Sequence, residues 1–433
     1  PPPPPPPPPP LPIPRPPTTT HTQSRRQRQM CIRDRDHLAA LRERFDLPEG
    51  KVYLDGNSLG ALPKGVPGTV SDVLKHQWGH DLISSWNRHD WIDLPRRVGE
   101  KTARLIGAAP GQVVCADSIS VNLFKLLATA LELRPGRTVI LSETGNFPTD
   151  LYVGEGLAGL LGPDRCTLRH VPGDSILSAL DEDVAVLMLT HVNFRDGRMH
   201  DMQQITRAAQ ECGALVLWDL AHSAGAMPVE LDDCGVDLAV GCGYKYLNGG
   251  PGAPAFLYVA ERHQDQAGQP LSGWMGHRKP FDFELTYKPA RGIERYLAGT
   301  PGILGMIALD AALEAFDGVS TEDLRRKSVA LTQAFINTVL EMDLPDAMLL
   351  TPRDPDRRGS HVSLAHPHGY AIAQALIDRG VIVDFRAPDI IRIGFAPLYN
   401  RFVDAGKACL ALAEIVSEKT YLDPRYSQRS KVT

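Results

Sequence analysis

The stretch GCGYKYLNGG, Gly241–Gly250, places a lysine between two tyrosines in a run that is otherwise small and apolar. A second stretch, LVLWDLAHSAGA, Leu215–Ala226, sets an aspartate directly after an apolar run that is typical of a buried strand. Removing a charged side chain from water is costly unless a partner compensates the charge. The positions of Lys245 and Asp219 therefore raise one question about function, namely which partner compensates these two charges.

Apolar strand-like runs alternate with amphipathic helical runs on both sides of these stretches. The strand-like runs include RTVILSE, DVAVLMLTHV, ALVLWDL, VDLAVGCGY and PAFLYVA. This alternation predicts an α/β fold with a mostly parallel sheet that is covered by helices on both faces. Ligands of such sheets bind at the carboxyl ends of the strands. Asp219, Lys245, Thr190 and the segment Ser118–Ser120 are all predicted to lie at such ends.

Lys245 and Asp219 have complementary chemistry. A lysine in an apolar setting loses its preference for the charged form, and a neutral amine can attack a carbonyl carbon to form a Schiff base. A carboxylate at the end of a buried strand favours a cationic partner such as a protonated pyridine nitrogen. Either residue alone is more often a solvated loop lysine or a strand-end cap. The pair at the ends of parallel strands indicates pyridoxal 5'-phosphate (PLP) as the cofactor.

The composition is that of an ordinary globular protein, with 43% hydrophobic and 22% charged residues. A net charge of -5 argues against nucleic acid and membrane surfaces as partners. The seven cysteines are scattered and form no C-x-x-C pair, which indicates a reduced, cytoplasmic setting. No apolar run approaches the roughly 20 residues that span a bilayer, and the N-terminus lacks the apolar core of a signal peptide.

We predict five parts along the chain of 433 residues, which is longer than one hydrophobic core usually serves. The first residues are proline-rich and then basic, so they cannot build a core. Beyond residue 310, short strands such as SHVSLAH and IIRIGF stand among longer helices. The predicted parts are a disordered extension at 1–35, an N-terminal arm at 36–62, a large PLP-binding domain at 63–310, a small C-terminal α+β domain at 311–421 and a tail at 422–433.

Five motifs together resemble the kynureninases, a family of fold-type I, aspartate-aminotransferase-like PLP enzymes. The motifs are YLDGNSLG (Tyr53–Gly60), FPTD (Phe147–Asp150), WDLAHSAG (Trp218–Gly225), GYKYLNGGPGAPAFLYV (Gly243–Val259) and GWMGH (Gly273–His277). The resemblance runs from about Tyr53 to Leu412. It implies a homodimer that hydrolyses the Cβ–Cγ bond of L-kynurenine, or of 3-hydroxy-L-kynurenine, to anthranilate or 3-hydroxyanthranilate and L-alanine in tryptophan catabolism.

The resemblance also implies a role for each matching residue. Lys245 would hold the cofactor and Asp219 would face its pyridine nitrogen, while Tyr244 would reach the phosphate and serve proton transfer. Arg392 would grip the substrate α-carboxylate through two hydrogen bonds. The other residues expected around the cofactor are Ile119, Ser120, Phe147, Asp150, Thr190 and His222, together with Trp274 and Thr300 from the neighbouring subunit. Thr300 and the segment HQWGHDLISSWN are as in bacterial members, which implies a preference for kynurenine over its 3-hydroxy derivative.

Two alternatives stay open on the sequence. One is another enzyme of the same scaffold, a class V aminotransferase or a cysteine desulfurase. A desulfurase needs a mobile cysteine in the small domain, where the only cysteine, Cys409, lies in a helical pattern and is predicted to be buried. The other alternative is a non-catalytic protein, which would be expected to lose Lys245 or Asp219. No metal site is predicted, since His366 and His368 lack a third ligand.

Overall fold

The structure, a computed structural model, describes residues 36–266 and 268–429. The extension predicted for residues 1–35 lies outside the described residues. The chain from Leu38 to Thr433 forms one compact unit. Of the helices in the described part of the chain, none combines the length and the apolar character that crossing a membrane requires.

The central feature of this unit is a seven-stranded sheet with the strand order β4-β10-β9-β8-β7-β5-β6. Strands β5 to β9 pair in parallel, and β10 runs antiparallel to both of its neighbours. The predicted mostly parallel sheet is therefore confirmed. Its strands are β4 (Val113–Cys115), β5 (Val139–Glu143), β6 (Thr167–Val171), β7 (Val184–Thr190), β8 (Leu215–Asp219), β9 (Leu238–Cys242) and β10 (Ala255–Val259).

Eight further strands of the described residues lie outside the central sheet. A four-stranded antiparallel sheet has the order β11-β12-β15-β14, β1 pairs with β3, and β2 pairs in parallel with β13. These strands are β1 (Phe45–Asp46), β2 (Val52–Tyr53), β3 (Leu62–Pro63), β11 (Met348–Leu349), β12 (His361–Ala365), β13 (Val381–Ile382), β14 (Asp384–Arg386) and β15 (Ile390–Gly394).

Eleven α-helices are present in the described residues. They are α1 (Gly65–Asp72), α2 (Ser85–Arg88), α3 (Leu94–Ala103), α4 (Ile119–Leu133), α5 (Pro148–Leu161), α6 (Met202–Glu211), α7 (Glu261–Gln264), α8 (Ile303–Leu313), α9 (Thr321–Met342), α10 (Gly369–Asp378) and α11 (Phe402–Ser417). A π-helical segment, Val73–Asp81, continues α1 directly.

The two faces of the central sheet build two different cores. Along β7, Val186 and Met188 belong to one core, whereas Leu187 and Leu189 belong to the other. Helices α4 and α5 cover the first face, and α6 covers the second. Because successive side chains of a strand point to opposite faces, a strand that is covered on both sides must be apolar throughout. Every residue of β7 is buried, as its unbroken apolar run requires.

The small antiparallel sheet has one apolar and one polar face. Val362, Leu364, Ile391 and Ile393 pack against helices α9, α10 and α11 in a separate core. The alternate residues of the same strands, His361, Ser363, Arg392 and Asp384, lie on the other face. Of these, Arg392 donates to the carbonyl of Phe194 in the loop after β7, at 2.7 Å. The polar face therefore meets the edge of the central sheet at which β7 ends.

Two segments differ from what the sequence pattern favours. The spacing of apolar residues in DHLAALRERFDL, residues 36–47, favours one helix, but the structure has a 3-10 helix at Ala39–Arg44 followed by β1, because pairing with β3 overrides the local helical pattern. Strand β6 was not predicted, since its partly exposed residues at the sheet edge lack an apolar run. In the region predicted as a tail, Tyr426 is buried and its hydroxyl donates to Asp378 at 2.7 Å. The domain boundaries at residues 62, 310 and 421 stay predictions.

Candidate active site

Three parallel strands end around one pocket of about 220 Å³. Strands β7 and β8 end at Thr190 and Asp219, and β9 leads directly into Tyr244 and Lys245. Helix α4 closes the pocket on the side of its N-terminus. The pocket is lined by nine of the residues predicted from the sequence: Ile119, Ser120, Phe147, Asp150, Thr190, Asp219, His222, Tyr244 and Lys245. A larger cavity of about 790 Å³ beside the C-terminal halves of α4 and α5 contains none of them.

The amine of Lys245 is held between a polar and an aromatic neighbour. Its Nζ lies 3.1 Å from Nε2 of His222 and 5.9 Å from the centre of the Phe147 ring. The backbone around it is fixed, because the N–H of Gly60 donates to the carbonyl of Tyr244 at 2.8 Å. A side chain at position 60 would meet the carbonyl oxygen of Lys245 at 2.3 Å. This close approach explains why a glycine closes the YLDGNSLG motif.

Two buried carboxyl groups share the pocket. Asp219 accepts a hydrogen bond from the N–H of Ala221 at 2.7 Å. Burial raises the pKa of Asp219, and the positive charge of Lys245 opposes that rise. Burial and then the charge of Asp219 raise the pKa of Asp150 well above its usual range, which favours the protonated form of Asp150. A cationic ligand beside Asp219 would favour its charged form.

The N-terminus of α4 can hold an anion. Ser118 caps the helix by accepting from the N–H of Val121 at 3.4 Å. The first N–H groups of any helix, here those of Ile119 and Ser120, have no carbonyl partner within the helix and attract phosphate. The fully buried Lys125 reaches back to Asp117 just before this segment, at 2.6 Å, and fixes the turn. Sequence reasoning missed Lys125, although a lysine inside the apolar run LFKLLA is a usable signal.

Asn146 is a second residue that sequence reasoning missed. Its Oδ1 accepts from the N–H of Phe147 at 2.9 Å and from the N–H of Thr190 at 3.2 Å, and the Thr190 hydroxyl donates to it as well. Asn146 therefore ties the end of β7 to the start of α5 and sets the position of Phe147. The signal was its place after the strand RTVILSE, directly before FPTD.

Arg392 does not line the pocket, and its side chain is buried against other partners. Nε donates to Asp384 at 2.8 Å, and Nη2 donates to Asp384 and, at 3.1 Å, to Ser58. Nη1 donates to the carbonyl of Phe194, so one of the five guanidinium N–H groups has no partner within the described residues and is left for a ligand. Burial raises the pKa of Asp384, but the hydrogen bond from Arg392 and its charge hold it below the usual range.

Trp274 and Thr300 lie away from this pocket within the single chain. Both are exposed, and neither lines the cavity. The Trp274 ring packs edge-on against Phe281, with ring centres 5.6 Å apart. The structure thus brings together nine of the twelve predicted site residues and leaves Trp274, Thr300 and Arg392 outside the pocket lining.

The residues in the pocket fit PLP. A free amine and a buried carboxylate stand at strand ends, and the N-terminus of α4 offers N–H groups to a phosphate. One buried polar atom of a residue that lines the pocket, Oδ1 of Asp150, has no hydrogen-bond partner among the described residues. Buried polar atoms are nearly always satisfied in native proteins, so this atom indicates a ligand or water in the pocket.

Comparison with known proteins decides the family. Residues 324–412 match the model of the kynureninase C-terminal domain. The kynureninase of Pseudomonas fluorescens is 50% identical over 405 residues, which cover 92% of this chain and 97% of that protein. The chain belongs to the kynureninase family. The kynureninase of Burkholderia pseudomallei is also 50% identical, over 407 residues that cover 92% of this chain and 98% of that protein.

Solved structures agree with the fold that this kynureninase family membership implies. A cysteine desulfurase of Thermococcus onnurineus aligns with a TM-score of 0.73 and 23% identity, covering 87% of this chain and 98% of that chain. A C-DES variant with glycine covalently linked to its PLP cofactor aligns with a TM-score of 0.72 and 19% identity. The alignment covers 86% of this chain and 99% of that chain. The predictions of the family, of fold-type I and of PLP are confirmed. Cys409 is buried, as predicted, so it cannot serve as the mobile cysteine that a desulfurase needs in this region.

Proposed function

We propose that this chain is a PLP-dependent hydrolase that cleaves the Cβ–Cγ bond of L-kynurenine to anthranilate and L-alanine. The observation that carries the proposal is the shared pocket of Lys245 and Asp219 in a chain of the kynureninase family. When bound, PLP withdraws electrons from the α-carbon of an amino-acid substrate. The residues around the pocket must then hold the cofactor, orient the substrate and move protons.

Lys245 is proposed to hold the cofactor and to carry the proton that leaves the substrate α-carbon. Burial and the charge of Lys245 lower the pKa of His222 well below its usual range, so the ring of His222 is neutral. A neutral imidazole nitrogen at 3.1 Å can accept a hydrogen bond from the Lys245 ammonium. Burial raises the pKa of Tyr244, so its phenol stays protonated and can donate at neutral pH.

Asp219 is proposed to remain ionised opposite the pyridine nitrogen, which keeps the cofactor electron-withdrawing. Phe147 would stack on the ring, since its side chain is part of the pocket wall and is still accessible. Asp150 and Thr190 would supply polar contacts, and the N-terminus of α4 would bind the phosphate.

We propose a homodimer in which Trp274 and Thr300 complete the pocket of the neighbouring subunit. Their exposure and their position outside the chain's own pocket support this assignment. We also propose a cytoplasmic location, which agrees with the six free cysteines of the described residues. Kynurenine is proposed as the preferred substrate over its 3-hydroxy derivative, as for bacterial members of the family.

A fluorescence assay tests the proposed reaction. We expect purified protein loaded with PLP to convert L-kynurenine to anthranilate, which is measured by its fluorescence, and to release one L-alanine for each anthranilate. The same protein after removal of PLP is the control, and adding PLP back should restore the rate. Protein that shows the absorbance of bound cofactor but forms no anthranilate would refute the function and leave only the fold.

Asp384→Asn tests how Arg392 binds the substrate. Asp384 holds the Nε and Nη2 edge of the guanidinium, so we propose that it aims the remaining N–H of Nη1 at the substrate carboxylate. Asparagine keeps the shape but removes the charge. We expect the KM for L-kynurenine to rise about 10-fold while kcat changes less than about threefold. Asp389→Asn, the same change in the turn between β14 and β15, is the control, and an equal KM in both variants would contradict the prediction.

A further inference from the structure

His361 is a buried histidine that the proposed reaction does not yet use. It is the first residue of β12, on the polar face of the small sheet, and its side chain has no solvent exposure. Neither of its ring nitrogens has a hydrogen-bond partner among the residues that the structure describes. Leaving a buried donor or acceptor unsatisfied costs stability, so two such atoms on one side chain call for an explanation.

The ring of His222 lies beside His361 and can explain why these two nitrogens are present. The centres of the two imidazole rings lie 5.5 Å apart, with the planes tilted by 54°. Nδ1 of His222 is itself buried and has no hydrogen-bond partner in the described part of the chain, whereas its Nε2 lies 3.1 Å from Nζ of Lys245. Lys245, His222 and His361 therefore form a row that leads from the pocket into the small sheet.

The chemistry of Lys245 fixes the roles along this row. Once Lys245 carries the proton from the substrate α-carbon it is an ammonium, which only donates hydrogen bonds. Nε2 of His222 must then accept, and because a neutral imidazole carries one proton, that proton stands on Nδ1. The Nδ1–H group then requires a second acceptor, which a ring nitrogen of neutral His361 can supply.

We propose that His361 is a positioning residue. The two imidazole rings make no hydrogen bond to each other in this structure, but when Lys245 is an ammonium a rotation of the rings lets a ring nitrogen of His361 accept from Nδ1 of His222, and that bond fixes the tautomer that stabilises the ammonium. Only the expected effect of His361 on kcat rests on the proposed function. Burial lowers the pKa of His361 to about 3, which keeps its ring neutral and able to accept. The other charged groups that face this row are Arg392, Arg386, Asp384, Asp219 and Asp150.

Two variants distinguish the effect of losing the hydrogen bond from the effect of changing the shape of the side chain. His361→Leu removes the acceptor, whereas His361→Gln keeps an amide oxygen that can accept from Nδ1 of His222. The control is His366→Leu, which removes another buried histidine of the small domain. Thermal unfolding of each variant shows whether the fold is retained.

The first measurement needs neither cofactor nor substrate. In PLP-free protein, an amine-acylating reagent modifies neutral Lys245, and peptide mass spectrometry gives the rate at each pH. We expect the midpoint, the pH at which the acylation rate is half of its maximum, to fall by about half a pH unit to one pH unit in His361→Leu. Losing one neutral hydrogen bond reduces the free energy that favours the ammonium form by a corresponding amount. His361→Gln and His366→Leu should keep the wild-type midpoint.

The second measurement uses the holoenzyme and L-kynurenine. We expect kcat to fall about 3- to 10-fold in His361→Leu with little change in KM, and His361→Gln to restore it. An unchanged midpoint in His361→Leu, or an equal loss in the Leu and Gln variants, would overturn the proposal. If the Leu variant does not fold, a midpoint shift of half a unit or more in His361→Gln would overturn it. Wild type that forms no anthranilate refutes the proposed function alone, because the acylation result still decides the role of His361.

Discussion

Lys245→Ala is expected to reduce the kcat for anthranilate formation by at least about 10³-fold. The loss is large because one side chain is proposed both to hold the cofactor and to carry the α-proton. No other lysine lines the pocket, as far as the described residues go, so no second amine can replace it. Anthranilate fluorescence measures the rate, and the absorbance of bound cofactor shows whether the variant still takes up PLP.

The control for this variant is Lys407→Ala, which removes an exposed lysine of helix α11. It should retain wild-type kcat and KM. If Lys245→Ala with bound cofactor kept more than about a hundredth of the wild-type rate, another residue would have to move the proton, and the assignment of Lys245 would be wrong.

The central sheet and the charged residues at its strand ends could be predicted from the sequence for a physical reason. Strands that are covered on both faces must be apolar throughout, as β7 and β8 are, and a charged residue at the end of such a run stands out. Asp219 and Lys245 were found in this way. Strand β6 was missed because it lies at the sheet edge, where partial exposure permits LRH in place of an apolar run.

The contacts that orient these residues could not be predicted from the sequence. Asn146 acts through two backbone N–H groups that are far apart in the chain, at Phe147 and Thr190. The pairing of Arg392 with Asp384 depends on the register of β14 and β15. A histidine such as His361 becomes informative only when its burial and its lack of partners are known, and both depend on the packing of β12 against the central sheet.

Asp219→Asn is expected to lower kcat about 10²- to 10⁴-fold, because the substitution removes the charge that would face the pyridine nitrogen while keeping the size of the side chain. The asparagine oxygen can still accept from the N–H of Ala221, so the fold around β8 should be unchanged. Activity with L-kynurenine and the affinity for PLP are the measurements. A variant with wild-type kcat would show that the charge at this position is not needed.

The same variant should be more stable than wild type at neutral pH when both lack PLP. Burial raises the pKa of Asp219, so its charged form costs stability as pH rises above the ordinary pKa of an aspartate, and the cost disappears below that value. Urea unfolding should therefore show an advantage for Asp219→Asn at pH 7 that is absent at pH 4. Asp237→Asn is the matched control, since hydrogen bonds from His263, Gln210 and Arg262 outweigh burial and lower the pKa of Asp237. That variant should lose stability at pH 7 and lose less at pH 4, and the same sign in both variants would contradict the argument.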